Sequence, residues 1–324
     1  MTLSCLQLAL RILTLALTAQ AAYTTQLLYQ FPSYLQWVEN LAVRQNGNIL
    51  LTTFDQAHIY ELDPNSGSAP RLVATLADAD AAAGITEISP DVFAVETGHL
   101  NRTTYHFDGT GRIDTLDFTC LNQGLPRVKT VAYLPDTQLP NGMSALPGNR
   151  HIVMSADSIT GLIYRTNTRT GKVDVAINDT RLAPQPNSDP FLALLGVNGL
   201  KTYKDYLYLT SSSAQFLGRY RIDAFGNPVG ALEIITQYDA PRSPDDFGIA
   251  KNGSVYGAIP LNSVSEAVPG SNGYEVTYLV DHDDEFQRPS AAILSRDETT
   301  VYVSTGGRNQ PGGQGGQIIA VRQQ

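Results

Sequence analysis

The sequence predicts an all-β fold, a six-bladed β-propeller with four-stranded antiparallel blades around a central channel. Three observations predict it. Short apolar, β-branched or aromatic runs alternate with turn residues along the whole chain. Gly 27 and Pro 18 in 324 residues leave little room for long helices. Above all, one pattern recurs six times at intervals of 44 to 57 residues, which is about one four-stranded blade per unit.

The first unit runs Glu39-Asn40-Leu41-Ala42-Val43, a turn at Asn46-Gly47-Asn48, Ile49 to Phe54, a turn at Asp55-Gln56, then His58 to Leu62. Asn-Gly between such runs is a strong hairpin signal. The second begins at Gly84-Ile85-Thr86, with strands expected over Val92 to Glu96 and Thr103 to Phe107. The third begins at Asn141-Gly142-Met143, followed by His151 to Ser155 and Gly161 to Thr166. Asn198-Gly199-Leu200 opens the fourth, with Tyr206 to Thr210 and Gly218 to Ile222 behind it. Asp246-Phe247-Gly248 and Ser254 to Ala258 belong to the fifth; Ser290-Ala291-Ala292, Val301 to Ser304 and Gln317 to Val321 belong to the sixth. Tyr23 to Phe31 is expected to complete the last blade and close the ring. Gly306 to Gly316 reads as a loop within that blade. A single such sheet cannot hide both faces, whereas radial packing buries each against a neighbour.

Residues Leu6 to Leu17 are nearly all apolar and are followed by Ala19-Gln20-Ala21. This reads as a secretory signal over 1–21, leaving one propeller domain over 22–324 in the secretory lumen or outside the cell. The segment carries Cys5, one Arg and no acid, so its loss leaves Cys120 alone and moves the net charge from −9 to −10. Asn101, Asn178 and Asn252 head acceptor sequons for N-glycosylation. An acidic chain without basic clusters is not expected to bind nucleic acid, and no membrane span is expected after the signal.

In a propeller the innermost strand of each blade lines the channel, so the repeat starts converge on one mouth. This places Trp37, Glu39, Asn40, Asn141, Asn198, Asp245, Asp246 and Ser290 around one cavity. The loops between second and third strands add Asp55, His99, Asp157, Ser212, Asn262 and Arg308. Such a ring of carboxylates and amides suits a hard cation or a carbonyl-rich ligand, while Asn and Asp at strand starts also cap local turns. There is no Gly-x-Ser-x-Gly elbow and no His-Glu-x-x-His spacing among His58, His99, His106, His151 and His282. Cys120 is expected to be packed rather than nucleophilic.

Around these residues the chain resembles the six-bladed propellers of the gluconolactonase/senescence-marker family. It is especially similar to a fungal secreted branch with the signature Trp37-Val38-Glu39-Asn40-Leu41-Ala42-Val43-Arg44 before Asn46-Gly47. In the lactonases of that family a divalent metal is held by a Glu of the first blade, an Asn of a middle blade and a later Asp. Glu39 and Asn141 match the first two, and Asn198 stands at the position read as the Asp. One carboxylate is thereby missing, and the next ones, Asp245 and Asp246, belong to the following blade. No cofactor is therefore expected; a divalent cation (Ca²⁺ or Zn²⁺) on Glu39, Asn141 and Asn198 is the alternative. The fungal branch includes hetero-Diels–Alderases of tropolone sesquiterpenoid biosynthesis. The resemblance implies cofactor-free coupling of a tropolone o-quinone methide to a humulene-type alkene, substrates of polyketide and terpene origin. Glu39, Asp246 or His99 would be its acid or base, and Trp37, Asn40, Asn141, Asn198, Asp245 and Ser290 its binding surface. A metal-dependent lactone hydrolase and a non-catalytic small-molecule binder are the competing expectations, and the oligomeric state is open.

Overall fold

A computed structural model describes residues 23–323 except Asp108, Asn272 and Asn309. The expected signal segment and Cys5 lie outside the described residues. Strand β1 (Tyr23–Gln30) opens the described chain. Blade 1 comprises β2 (Val38–Val43), β3 (Ile49–Thr53), β4 (His58–Leu62) and β5 (Arg71–Thr75). Blade 2 comprises β6 (Ala81–Ser89), β7 (Val92–Gly98), β8 (Arg112–Asn122) and β9 (Leu125–Tyr133). Blade 3 follows with β10 (Pro140–Leu146), β11 (Asn149–Asp157), β12 (Leu162–Asn167) and β13 (Val173–Asn178). Blade 4 is β14 (Val197–Tyr203), β15 (Tyr206–Ser211), β16 (Phe216–Arg221) and β17 (Glu233–Gln237). Blade 5 is β18 (Phe247–Ile249), β19 (Val255–Ile259), β20 (Ser263–Gly270) and β21 (Gly273–Val280). Blade 6 takes β22 (Pro289–Leu294), β23 (Thr300–Thr305) and β24 (Gln317–Gln323), and β1 adds as its fourth strand.

These are six four-stranded antiparallel sheets, and β1 pairs with β24 from Tyr23↔Gln323 to Gln30↔Gln317. The N-terminal strand thus closes the ring, as the sequence predicts. Apolar side chains fill the wedges between neighbouring blades. Leu146, Met154, Leu200 and Leu209, for example, belong to one buried cluster between blades 3 and 4. Hydroxyls stitch the hub together: Thr52 Oγ1 donates to the Ala83 carbonyl, Thr210 Oγ1 to that of Asp245 and Ser290 Oγ to that of Val38, each at 2.7 Å.

Two local expectations are corrected, one strand and one cysteine. The third strand of blade 2 is β8 rather than Thr103 to Phe107, which lies in the loop before it and makes only the isolated bridge Asn101↔His106. The Asn-Gly pairs also divide into two kinds. Gly47 sits at φ +90° in a true hairpin turn. Gly142 and Gly199 lie inside inner strands, where blades crowd the axis: a Cβ on Gly142 would fall 2.4 Å from the Asn198 carbonyl oxygen. Cys120, expected to pack, is exposed near the end of β8. All three sequon asparagines are exposed.

Candidate active site

The register of the inner strands builds the site. β2 slips between Val38 and Asn40, β10 between Pro140 and Met143, and β14 between Val197 and Leu200. A bulge bends a strand and re-aims a side chain that strict alternation would bury in the sheet. Here the re-aimed residues are Glu39, Asn141 and Asn198. In blade 5 the residue before β18 does the same: the Asp245 N–H donates to the Ala258 carbonyl, and its side chain faces the axis.

These four residues, together with Ser212, Asp189 and Arg288, supply polar groups to a cavity of about 270 Å³ at one mouth of the ring, small for a ligand pocket. Its walls are largely apolar. Trp37 and Phe54 stack at 6.2 Å between ring centroids, and Tyr105 meets Phe191 edge-on at 4.8 Å. Leu139, Leu195, Leu261 and Pro289 complete much of the rest.

Glu39 is buried and accepts a 2.7 Å hydrogen bond from Trp37 Nε1. Removal from water pushes its carboxyl up to about 7; the Trp37 bond and nearby Arg288 pull it down, while Asp246 pushes it up. Burial also lifts the Asp245 carboxyl well above the usual range, helped by the negative fields of Glu39 and Asp246. Asn198 Nδ2 donates to Ser212 Oγ at 2.8 Å, and Ser212 Oγ donates in turn to the Pro244 carbonyl at 2.9 Å. Asn141 Oδ1, Asn198 Oδ1 and Asp245 Oδ1 are buried without a hydrogen-bond partner among the described residues. Unpaired buried oxygens are costly, so their convergence on one cavity marks a place built for a guest.

That donor set tests the expectation about metal. The carboxylate taken as missing at Asn198 is supplied by Asp245 of the next blade, which lines the same cavity as Glu39, Asn141 and Asn198. Four oxygen-bearing side chains with three unpaired oxygens match a hard, oxygen-preferring cation such as Ca²⁺. They fit Zn²⁺ less well, since it favours nitrogen and sulfur donors.

Of the residues expected to converge, Trp37, Glu39, Asn141, Asn198, Asp245 and Ser212 line the cavity. The others do not. Asp246 is buried but turned deeper into the hub, where Lys201 Nζ lies 2.5 Å from both carboxylate oxygens. Asn40 Nδ2 donates to that same carboxylate at 2.6 Å, so both residues are spent on a structural ion pair. Ser290 is occupied by the Val38 carbonyl and by Ser304. His99 falls just after β7, where the chain turns outward; its side chain is 52% exposed and pairs with Asp80 at 3.3 Å. Asp157 caps the backbone N–H groups of Gln138, Leu139, Ile159 and Thr160. Asp55 lies by His58, Asn262 bonds Asp284, and Arg308 is exposed.

Sequence reasoning missed Arg288, Phe54, Tyr105 and the segment 179–196, which brings Asn187, Asp189, Phe191, Leu192 and Leu195 over the mouth. A signal existed for the last of these. The connection from β13 to β14 is long, and its apolar run Phe191 to Leu195 belongs to no strand. The Asp179 carboxylate, held well below the usual range chiefly by Arg181, anchors its start by accepting from Tyr220 OH at 2.6 Å.

No protein-family profile matches this chain. It is 27% identical over 237 residues to a Sarocladium schorii protein that carries the name hetero-Diels-Alderase, covering 67% of this chain and 56% of that protein. The chain therefore spans little more than half of that relative. A Phoma protein of the same name is 26% identical over 312 residues, covering 86% of each. The fold is that of the regucalcin from Agrobacterium tumefaciens (TM-score 0.64, 15% identity, 94% of this chain and 96% of that one). A structure described as a gluconolactonase gives 0.59 at 12% identity, covering 94% and 93%. Over most of its length the chain is thus similar to proteins named hetero-Diels-Alderases, on the six-bladed scaffold seen in gluconolactonase- and regucalcin-type proteins.

Proposed function

We propose that the protein is a pericyclase of the hetero-Diels-Alderase type, coupling a tropolone o-quinone methide to a humulene-type alkene at the mouth of its channel. The observation that carries this reading is the cavity's two-sided chemistry. A carboxyl that titrates near neutrality sits at the polar end, and aromatic and aliphatic side chains face it. The two named relatives support the same reading.

The chemistry divides into a dehydration and a cycloaddition. The quinone methide forms when a benzylic-type alcohol loses its hydroxyl as water and its ring hydroxyl loses a proton. Glu39 in its acid form protonates the departing hydroxyl; the ring proton is already lost to solvent when the reactant binds as its anion, and the Glu39 carboxylate regains a proton from solvent before the next turnover. A pKa near 7 suits both transfers. The cycloaddition then forms one C–C and one C–O bond with no net proton movement. It needs the reactants held in register and a donor on the heterodiene oxygen. Asn141, which lines the cavity and whose Oδ1 has no hydrogen-bond partner among the described residues, would donate there through its amide N–H. Apolar walls hold the alkene and exclude water.

The secretory route belongs to the same proposal; its support is the N-terminal pattern and the exposure of all three sequons. Among the described residues no helix is long and apolar enough to cross a membrane.

The second reading, a metal-dependent lactone hydrolase, draws on the unpaired oxygens of Asn141, Asn198 and Asp245. With Glu39 they would hold the cation, whose chemistry there would be Lewis-acid polarisation of a carbonyl.

The test presents purified protein with the precursor alcohol and humulene, with and without chelator. The expected result is one stereoisomer, formed faster than background and insensitive to EDTA. A product mixture identical to the uncatalysed one would sink the pericyclase reading. Lactone hydrolysis abolished by EDTA and restored by Ca²⁺ would establish the second. Activity in neither assay, with ligand still bound, would leave a binding protein.

A further inference from the structure

Arg288 is the one Lys, Arg or His among the described residues lining the cavity. It immediately precedes β22 at φ +62°. Its backbone is pinned, its N–H donating to the Phe286 carbonyl at 3.1 Å and its carbonyl accepting from Gly306 at 2.8 Å. The guanidinium lies 4.9 Å from the Trp37 ring centroid and 5.9 Å from that of Phe191. Neither a hydrogen bond nor an ion pair to any described residue engages it. Arginine presents five donors in a rigid fork. Here the guanidinium sits beside two aromatic rings, and its N–H groups have no acceptor among the described residues. Such an arrangement is organised for a planar anion with two adjacent oxygens.

The surroundings agree. Glu39 and Asp245 line the same cavity, and neither forms an ion pair with Arg288 among the described residues. The rim carboxylate, Asp189, is occupied by the N–H groups of Phe191 and Leu192.

We propose that Arg288 binds the adjacent oxygens of a planar conjugated hydroxy-ketone, and that this reactant enters the pocket as its anion. The inference rests on the pericyclase reading and adds to it the residue that receives the ring oxygens and the charge state in which the reactant binds. The aromatic clamp also fixes the plane of the bound ring, and so the face offered to the alkene.

Trp37 is the only tryptophan of the chain, so intrinsic fluorescence reports on this cavity. The probes are tropolone, at a pH where it is ionised, and 2-methoxytropone, which cannot ionise. EDTA is present throughout so that no metal ion chelates the probe. Wild-type protein is expected to bind tropolone about tenfold or more tightly than its ether, the value of one charge-assisted hydrogen-bond pair. Arg288→Gln should reduce that preference to within about threefold. Arg288→Lys, which keeps the charge and loses the fork, should fall between. If the preference persists unchanged in both variants while both probes still bind, the assignment of Arg288 is overturned and the pocket reading survives. If the wild type binds neither probe, the tropolone reading itself falls. Should Arg288→Gln fail to fold, Arg288→Lys decides: a loss of preference supports the assignment, and an unchanged preference overturns it.

Discussion

Glu39→Gln replaces a buried acid by a neutral side chain that still accepts from Trp37 Nε1. The Glu39 carboxyl titrates near 4.5 when solvated and near 7 in the folded protein. Because the folded value is the higher, the folded state holds the proton longer. This stabilising difference is whole below pH 4.5 and is lost as pH rises through 7. Once both states are ionised, the folded protein has lost about 3 kcal/mol relative to its acid-side stability. The glutamine variant escapes this loss. It should match the wild type near pH 4 and exceed it at pH 9 by about 3 kcal/mol, roughly 6 °C in melting temperature for a chain of this size. The assay is thermal denaturation across that pH range with EDTA present, because a bound cation would stabilise the carboxylate and reverse the argument. Activity should move the opposite way, since the variant has no proton to give. A wild type and variant whose melting temperatures stay parallel from pH 4 to 9 would refute the assignment of a desolvated acid at position 39.

Glu96 sits on β7 fully buried, with both carboxylate oxygens unpartnered among the described residues and its titration pushed well upward by burial. Its folded form likewise keeps the proton longer, so Glu96→Gln should raise the melting temperature above pH 5 and leave it unchanged at low pH, with catalysis intact. Gly142→Ala places a Cβ 2.4 Å from the Asn198 carbonyl oxygen and 2.5 Å from the Leu200 nitrogen. Both are backbone atoms of the next inner strand, so the blades must part; a loss of at least ~1–3 kcal/mol is expected in denaturant unfolding. Gly47→Ala, with nothing within 4 Å but φ at +90°, should cost only about 1 kcal/mol through backbone strain. Phe191→Ala removes one side of the clamp at the cavity mouth. It should raise KM and erode stereoselectivity in the coupling assay while leaving the melting temperature within about 2 °C, because Phe191 is only half-buried.

The spacing of the apolar runs revealed the architecture because every blade repeats the same demand, two faces to be covered by neighbours. It failed in blade 2, where the run Thr103 to Phe107 looked strand-like and proved to be a loop. A β-aromatic composition is necessary for a strand but not sufficient, and β8 takes the pairing with β7 instead. At the hub, Glu39, Asn141 and Asn198 were recognisable as repeat starts and Asp245 as the neighbour of one, and they do meet. Asn40 and Asp246 adjoin two of them in sequence and point elsewhere. A bulge turns one residue toward the axis, and its neighbour necessarily faces another way. Whether residue 245 or 246 takes the axial position is a matter of register within a degree of freedom that composition does not express.

The order of the strands, their number per blade, the ring closure by β1 and the acidic, oxygen-rich hub are properties of the linear pattern. Hydrophobic periodicity and turn chemistry are local, and local features survive being read one residue at a time. Arg288 beside Trp37 and Phe191, the cover supplied by 179–196, and the hidden state of Glu96 belong to the tertiary structure alone. Each depends on surfaces from distant stretches of the chain meeting and excluding water locally. It is that shared loss of solvent, which no stretch of sequence contains, that raises a carboxyl toward neutrality and leaves a guanidinium waiting for a partner.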